Sequence, residues 1–335
     1  SLLIAAIAEF IRDNVVDIDT SFTKLQNYYL LNAEEEGDLR NKLLLTRRDK
    51  EALISIIKGT PIDEDSSSRV KENYDFFKNE INKDTILDIY NGLQRLIVVD
   101  VALEKDKDNP QLIFESLNST GLDLSQADLI RNYILMGQEN HLQIELYEKY
   151  WHPMEKSYGK DYTTAFNMFM RDYLSVKTGL IPKINEVHER FKIYSKDASS
   201  PDTIKDIVKD MYSFSEYYIN IALDKEPNKL LKDSFKNISK LKVGVSYPFI
   251  LPVYDDYKKG LVTEEEFSTI LKIIENYVFR RAVCGLPTNS LNKTFATLYK
   301  VIDKGSYLES VQANFQLMDS YKRFPSDAEF ENEII

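Results

Sequence analysis

From about residue 138 to its end the chain reads as one amphipathic segment after another, and that texture limits the fold more than any other feature. Apolar side chains, many of them aromatic, recur at three- and four-residue spacing, which lays them along one face of a helix, while period-two alternation is scarce. The spacing predicts helices over 142–157, 162–178, 184–198, 202–224, 228–242, 247–259, 264–284, 290–304 and 306–320, with a short one after Pro325. Thr263 and Glu266 form a capping-box pair ahead of the stripe Phe267, Ile270, Leu271 and Ile274. No fixed-period repeat is present, so a helical bundle is expected in preference to a solenoid.

The first hundred residues are more mixed. Ile4, Ile7 and Ile11 give the opening run a core-facing helical stripe. That run lacks the basic start and the cleavage-like break of a signal peptide, and it has no preceding cap, so the chain is expected to begin inside a larger protein. Further helices are expected over 46–57, 69–82 and 84–94, with a polar, serine-rich connector at 61–68. Two short Tyr- and Leu-rich runs predict a hairpin over 26–45, and the β-branched run LIVVDVAL at 96–103 predicts a buried strand. The expected fold class is mainly α, a multi-helical bundle with this small β element, divided into 1–138 and 139–335.

Composition narrows the function classes. Forty-three basic against fifty-four acidic residues in 335 leave a formal charge of −11, so the chain as a whole repels a phosphate backbone, and any DNA contact must be local. No apolar run approaches the roughly 20 residues needed to cross a bilayer. The lone Cys284 excludes an internal disulfide and suits a reducing compartment; no membrane partner and a cytoplasmic location are expected.

Between these two regions lies 109–137, where several local rules agree on a helix, a turn and a second helix. Asn109 and Pro110 suit an N-cap and a first helical position, Leu112, Ile113 and Leu117 give a stripe, and Gly121 supplies a left-handed residue past the helix end. Ser125 and Asp128 then form a capping-box-like pair, with Leu124 and Leu129 placed as a hydrophobic staple. Phe114-Glu115, Asn118, Gly121, Leu124-Ser125 and Asp128-Leu129 together resemble the FExxNxxGxxLSxxDL signature of the GmrSD-type family of modification-dependent (type IV) restriction proteins. Weaker likenesses to family landmarks follow at Tyr150-Trp151, at 169–174, at Tyr247-Pro248, at 280–285 and at 323–327.

The resemblance implies an N-terminal domain related to ParB-like folds, a DGQQR motif linked to nucleotide hydrolysis, and a C-terminal HNH nuclease domain. This chain carries neither of the last two, so it is expected to span the family's middle. A nucleoside triphosphate and a divalent metal are implied for the complete protein and no cofactor for this part of it. Glu115, Asn118, Arg131 and Asn132 are the implied nucleotide-pocket candidates; Asn118 also reads as a helix cap, Glu115 as a solvated helix residue, and Arg131 as the partner of a neighbouring acid.

Other constellations are weaker. Asn91 to Arg95, NGLQR, matches DGQQR at only three positions and ends a helix, so Gly92 reads as a helix-end residue. Asp100 and Glu104 share one strand face, but an edge-facing Asp and a loop acid explain them without a metal. His141, His152 and His188 have no zinc spacing, and no phosphate-binding loop, dinucleotide fingerprint or nucleophile elbow is present, which argues against an independently active enzyme and leaves no catalytic residue to assign. Arg280, Arg281, Asn289, Asn292 and Lys293 form the one compact basic and amide-rich patch, suited to DNA phosphates or base edges; an arginine pair on helix-terminal carbonyls is the competing explanation.

The first reading is therefore part of a bacterial defence protein in which nucleotide hydrolysis regulates cleavage of modified foreign DNA. The second is a non-enzymatic helical interaction or scaffold module that keeps the signature for folding. A DGQQR segment encoded upstream of Ser1 would favour the first.

Overall fold

The computed structural model describes residues 1–45, 47–63, 68–97, 124–136, 138–196 and 201–334. The chain divides into two compact units, 1–102 and 103–335.

In the first unit, α1 (Leu2–Asp13) packs against α3 (Arg47–Lys58) and α4 (Ser68–Glu80), beside the short α2 (Phe22–Leu25) and α5 (Ile86–Gln94). Three alanines, Ala5, Ala6 and Ala8, and Ile7 form the buried face of α1, and small side chains there let the neighbouring helices approach closely. Glu9 ties α1 to α4 by accepting from the Tyr74 hydroxyl and from Lys78 Nζ at 2.8 Å.

The expected hairpin over 26–45 does not form. Gln26–Leu30 is a widened π-type turn continuing α2, Gly37–Arg40 is a 3-10 turn, and the β pairing between the two arms is limited to one antiparallel bridge, Leu31 to Asn41, beside which Lys42 Nζ donates to Asn27 O and Tyr28 O at 3.0 and 2.7 Å. The Ser21 hydroxyl caps α2 by accepting from Lys24 N at 3.2 Å, and Leu25 and Leu30 are both buried in the core, so helical winding satisfies the first arm. Short apolar runs are where periodicity fails to separate strand from helix. For the expected strand at 96–103, Leu96 and Ile97 are exposed and outside any strand, and 98–103 lie outside the described residues. No strand is present among the described residues, and the chain is mainly helical.

The second unit is a helical body built around α13 (Tyr247–Lys258). Its chain order is α6 (Gln126–Leu135), α7 (Asn140–Leu146), α8 (His152–Tyr158), α9 (Asn167–Thr178), α10 (Val187–Tyr194), α11 (Pro201–Ala222), α12 (Lys229–Lys240) and α13, then α14 (Glu264–Val283), α15 (Leu291–Leu298), α16 (Tyr307–Gln316) and α17 (Asp327–Ile334). A helix apolar on every side belongs in a core, and α13 is one: Phe249, Ile250, Leu251, Val253 and Tyr254 are wholly buried against α9, α11, α14 and α15. One buried carboxylate in this core is held by three donors. Asp256 of α13 accepts from the Tyr299 and Tyr307 hydroxyls at 2.7 and 2.8 Å and from Lys304 Nζ at 2.9 Å, which fastens the segment between α15 and α16 to the central helix.

The helix expected over 142–157 is α7 and α8 joined through a π-type turn, Tyr147–Trp151. Pro153 accounts for it: proline has no N–H to offer and its ring crowds the carbonyl four residues back, and a widened turn accommodates both. The capping box of Thr263 and Glu266 stands at the start of α14, with bonds of 3.2 and 2.8 Å.

Candidate functional site

Of the signature stretch, the described part runs from Leu124 to Met136 and belongs to the second unit; Phe114, Glu115, Asn118 and Gly121 lie outside the described residues, as do Asp100 and Glu104. Ser125 is the N-cap of α6: its Oγ accepts from the Asp128 amide at 3.2 Å and donates to the Asp128 carboxylate at 2.7 Å. Asn167 of α9 supplies a second cap, its Oδ1 accepting from the Ala127 amide at 2.9 Å. Gln126 in turn accepts from the His188 amide at 2.8 Å, so side chains around this helix start satisfy backbone donors on both α6 and α10.

Arg131 sits one turn further on. Its guanidinium meets Glu155 of α8 at 2.8 Å and Asp128 at 3.1 Å. Burial works against its charge, but the hydrogen bond and charge of Glu155, joined by Asp128, outweigh burial and hold Arg131 above the ordinary guanidinium value. Glu155 also accepts from the indole N–H of the fully buried Trp151 at 3.0 Å, and that indole lies 3.2 Å from the Tyr162 hydroxyl. Burial raises the Tyr162 phenol well above its usual value, which keeps it neutral. Arg131 is thus a member of a network joining α6, α8 and the turn before α9; Asn132 lies half-buried on the same helix. Sequence reading missed Glu155, Tyr162 and Asn167, because they come from 24 to 40 residues along the chain and carry no local pattern linking them to α6.

The second predicted patch lies at the end of α14. Gly285, at φ +61°, lets the helix stop in a left-handed turn in which the Leu286 amide reaches Arg281 O at 2.9 Å and the Gly285 amide reaches Ala282 O at 3.3 Å. Arg281 turns inward here. It is 1% exposed, its Nη1 donates to Tyr321 O and Arg323 O at 2.8 and 3.2 Å, its Nη2 to Pro287 O at 2.6 Å, and it lies 5.1 Å from the Tyr277 ring centroid. The DNA contact expected of Arg281 gives way to this inward role: a backbone segment packed across the helix end needs donors for its carbonyls, and a guanidinium supplies several at once. Arg280 pairs with Asp327 at 2.5 Å and lies over the Phe330 ring at 5.1 Å, so it holds the C-terminal helix α17. Asn289 and Lys293 line an open hollow of about 380 Å³ together with Tyr321 and Lys322, and Asn292 stands on the first turn of α15. Sequence reading missed Tyr321 and Lys322, which join this patch only through the fold.

Among the described residues no group of three or more His, Cys, Asp or Glu side chains gathers in a way that could hold a metal ion. Among the described residues no helix is long and apolar enough to cross a membrane.

Residues 3–135 match the family model described as the GmrSD restriction endonuclease N-terminal domain, and that segment is a domain of the GmrSD type. The match spans the first unit and ends with α6 of the second. A comparison with curated proteins returns no match.

Proposed function

We propose that this chain is part of a restriction-enzyme-like defence protein in which nucleotide hydrolysis regulates cleavage of modified foreign DNA, with DNA and a nucleoside triphosphate as partners and a divalent metal accompanying the nucleotide. The family match over residues 3–135 carries this reading. Within it, the turn holding Glu115 and Asn118 contributes to the nucleotide pocket. Arg131 is engaged by Glu155 and Asp128, so its part is to hold α6 in place and not to meet a phosphate itself. Asn132, half-buried on the same helix, remains a candidate for the pocket wall.

The scaffold reading has one observation in its favour: the Ala127 and Asp128 amides and the Arg131 guanidinium are all satisfied from within the chain. Titrating the intact gene product with nucleoside triphosphates separates the two. The nucleotide reading expects saturable binding that is lost in Glu115→Ala and Asn118→Ala. Binding unchanged in both variants, or absent from the parent, overturns the pocket assignment.

A further inference from the structure

The helix that closes the family-matched segment is held from outside that segment. The match ends at residue 135 with α6, while the groups that fix α6 stand further along the chain, on α8, α9 and α10. The core face of α6 is Ala127, Ile130 and Ile134, all buried. Apolar burial is non-directional and leaves a short helix free to roll about its axis, so directional contacts on its flanks decide where the rest of it points.

Those contacts stand on both flanks. On one, Glu155 Oε1 accepts from Arg131 Nη1 at 2.8 Å, and Arg131 Nη2 reaches Asp128 at 3.1 Å. On the other, the Tyr133 ring meets Phe191 and His188 of α10 edge-on, at 6.1 and 6.3 Å between centroids. At roughly 100° per residue, Leu129, Asn132 and Met136 then fall on the face turned away from the core. All three are half-buried, and neither Leu129 nor Met136 packs on the core cluster. The Asn132 carboxamide, both donor and acceptor, has no hydrogen-bond partner among the described residues.

Glu155 is itself fixed from behind. The same Oε1 accepts from the indole N–H of Trp151 at 3.0 Å. Trp151 is wholly buried, its ring 5.3 Å from that of Phe166, and its N–H also lies 3.2 Å from the Tyr162 hydroxyl. A carboxylate oxygen already engaged by a buried donor offers Arg131 a single direction of approach, which resists any roll of α6.

We infer that Glu155 is a positioning residue for the signature helix: from α8, beyond the matched segment, it fixes the roll of α6 and so the direction in which Asn132 is presented. Contact geometry carries the positioning. That Asn132 faces a nucleotide rests on the reading proposed above, and the consequence is a pocket that depends on a residue the family match does not contain.

Amide exchange on the whole chain, with the side-chain resonances of Asn132, tests the positioning without any nucleotide. Glu155→Ala should speed exchange along α6 by about tenfold or more, the effect of one lost charge-assisted hydrogen bond, and should move the Asn132 carboxamide resonances. Glu155→Gln, still an acceptor for Arg131 and Trp151, should restore most of the protection. Asp256→Asn disturbs a different buried network of the same unit and should leave α6 as in the parent. Unchanged α6 exchange in Glu155→Ala, or an equal rise in Asp256→Asn, would overturn the inference. If Glu155→Ala does not fold, Arg131→Met with Glu155→Leu replaces the pair by apolar side chains, and the same differences along α6 are expected. Titration of the intact gene product with ATP and GTP then tests the link to the pocket: affinity should fall by about tenfold in Glu155→Ala and return in Glu155→Gln. A parent that binds neither nucleotide removes the nucleotide reading and leaves the exchange result to decide the positioning. Affinity unchanged in Glu155→Ala while α6 exchange rises removes the dependence of the pocket on Glu155.

Discussion

Arg280 and Arg281 are neighbours in sequence with different tasks, and neither faces solvent as a free cation. Arg281 donates to three backbone carbonyls from a buried position, and truncation would leave those acceptors unpaired in the core. Arg281→Ala should therefore lower unfolding stability by about 3 kcal/mol, whereas Arg280→Ala, whose ion-pair partner is well exposed, should cost less than about 1 kcal/mol. Urea unfolding of the two variants measures the difference, and Arg281→Lys should not rescue the first, because an ammonium cannot span three diverging carbonyls. A second residue-scale test concerns Asp172 of α9. Burial, only partly opposed by Arg171, pushes its carboxyl up to about 7. A folded-state value above the unfolded one means that this group contributes most to stability below about pH 4, and that its contribution is lost as pH rises through 7. Asp172→Asn should flatten the decline in melting temperature between pH 5 and pH 8; an unchanged slope would show that another group sets it.

At the scale of elements, the helices of the second unit were legible because their stripes, caps and stop signals agree. Thr263 and Glu266 marked the start of α14 with both bonds of a capping box, and Ser125 and Asp128 marked the start of α6, where Ser125 Oγ accepts from the Asp128 amide and donates to its carboxylate. The α6 cap is testable: Ser125→Ala should cost about 1 kcal/mol in thermal or urea unfolding, with Asn167 still holding the Ala127 amide. What escaped the sequence has a physical cause in each case. The π-type turn at 147–151 answers Pro153, which interrupts the hydrogen-bond ladder while the apolar spacing runs on through 142–157 undisturbed. The arm at 26–31 looked strand-like because Tyr28, Tyr29, Leu30 and Leu31, four apolar and aromatic residues in a row, fit both periods; a serine cap and the burial of Leu25 and Leu30 decided for helix.

For the whole molecule, two compact units and a family match that crosses from one into the other place the restriction-type domain over residues 3–135. The sequence carried that identity through a run of small local rules at 109–137, and it carried the acidic balance that confines any DNA contact to a local patch. It could not show which basic residues form such a patch. Arg281 looked exposed in the sequence and is buried, while Lys322 joins Lys293 only once α15 and the segment after α16 are brought together. The same limit applies to the network around Arg131, whose partners Glu155 and Trp151 come from α8 and the turn before it. The measurement that tests the central proposal most directly is cleavage by the natural gene product of a duplex bearing modified bases, compared with the unmodified duplex, with and without a hydrolysable nucleoside triphosphate. The expected result is cleavage confined to the modified duplex, dependent on the nucleotide and lost in Asn118→Ala. Cleavage indifferent to both modification and nucleotide, or none under any condition, would contradict it.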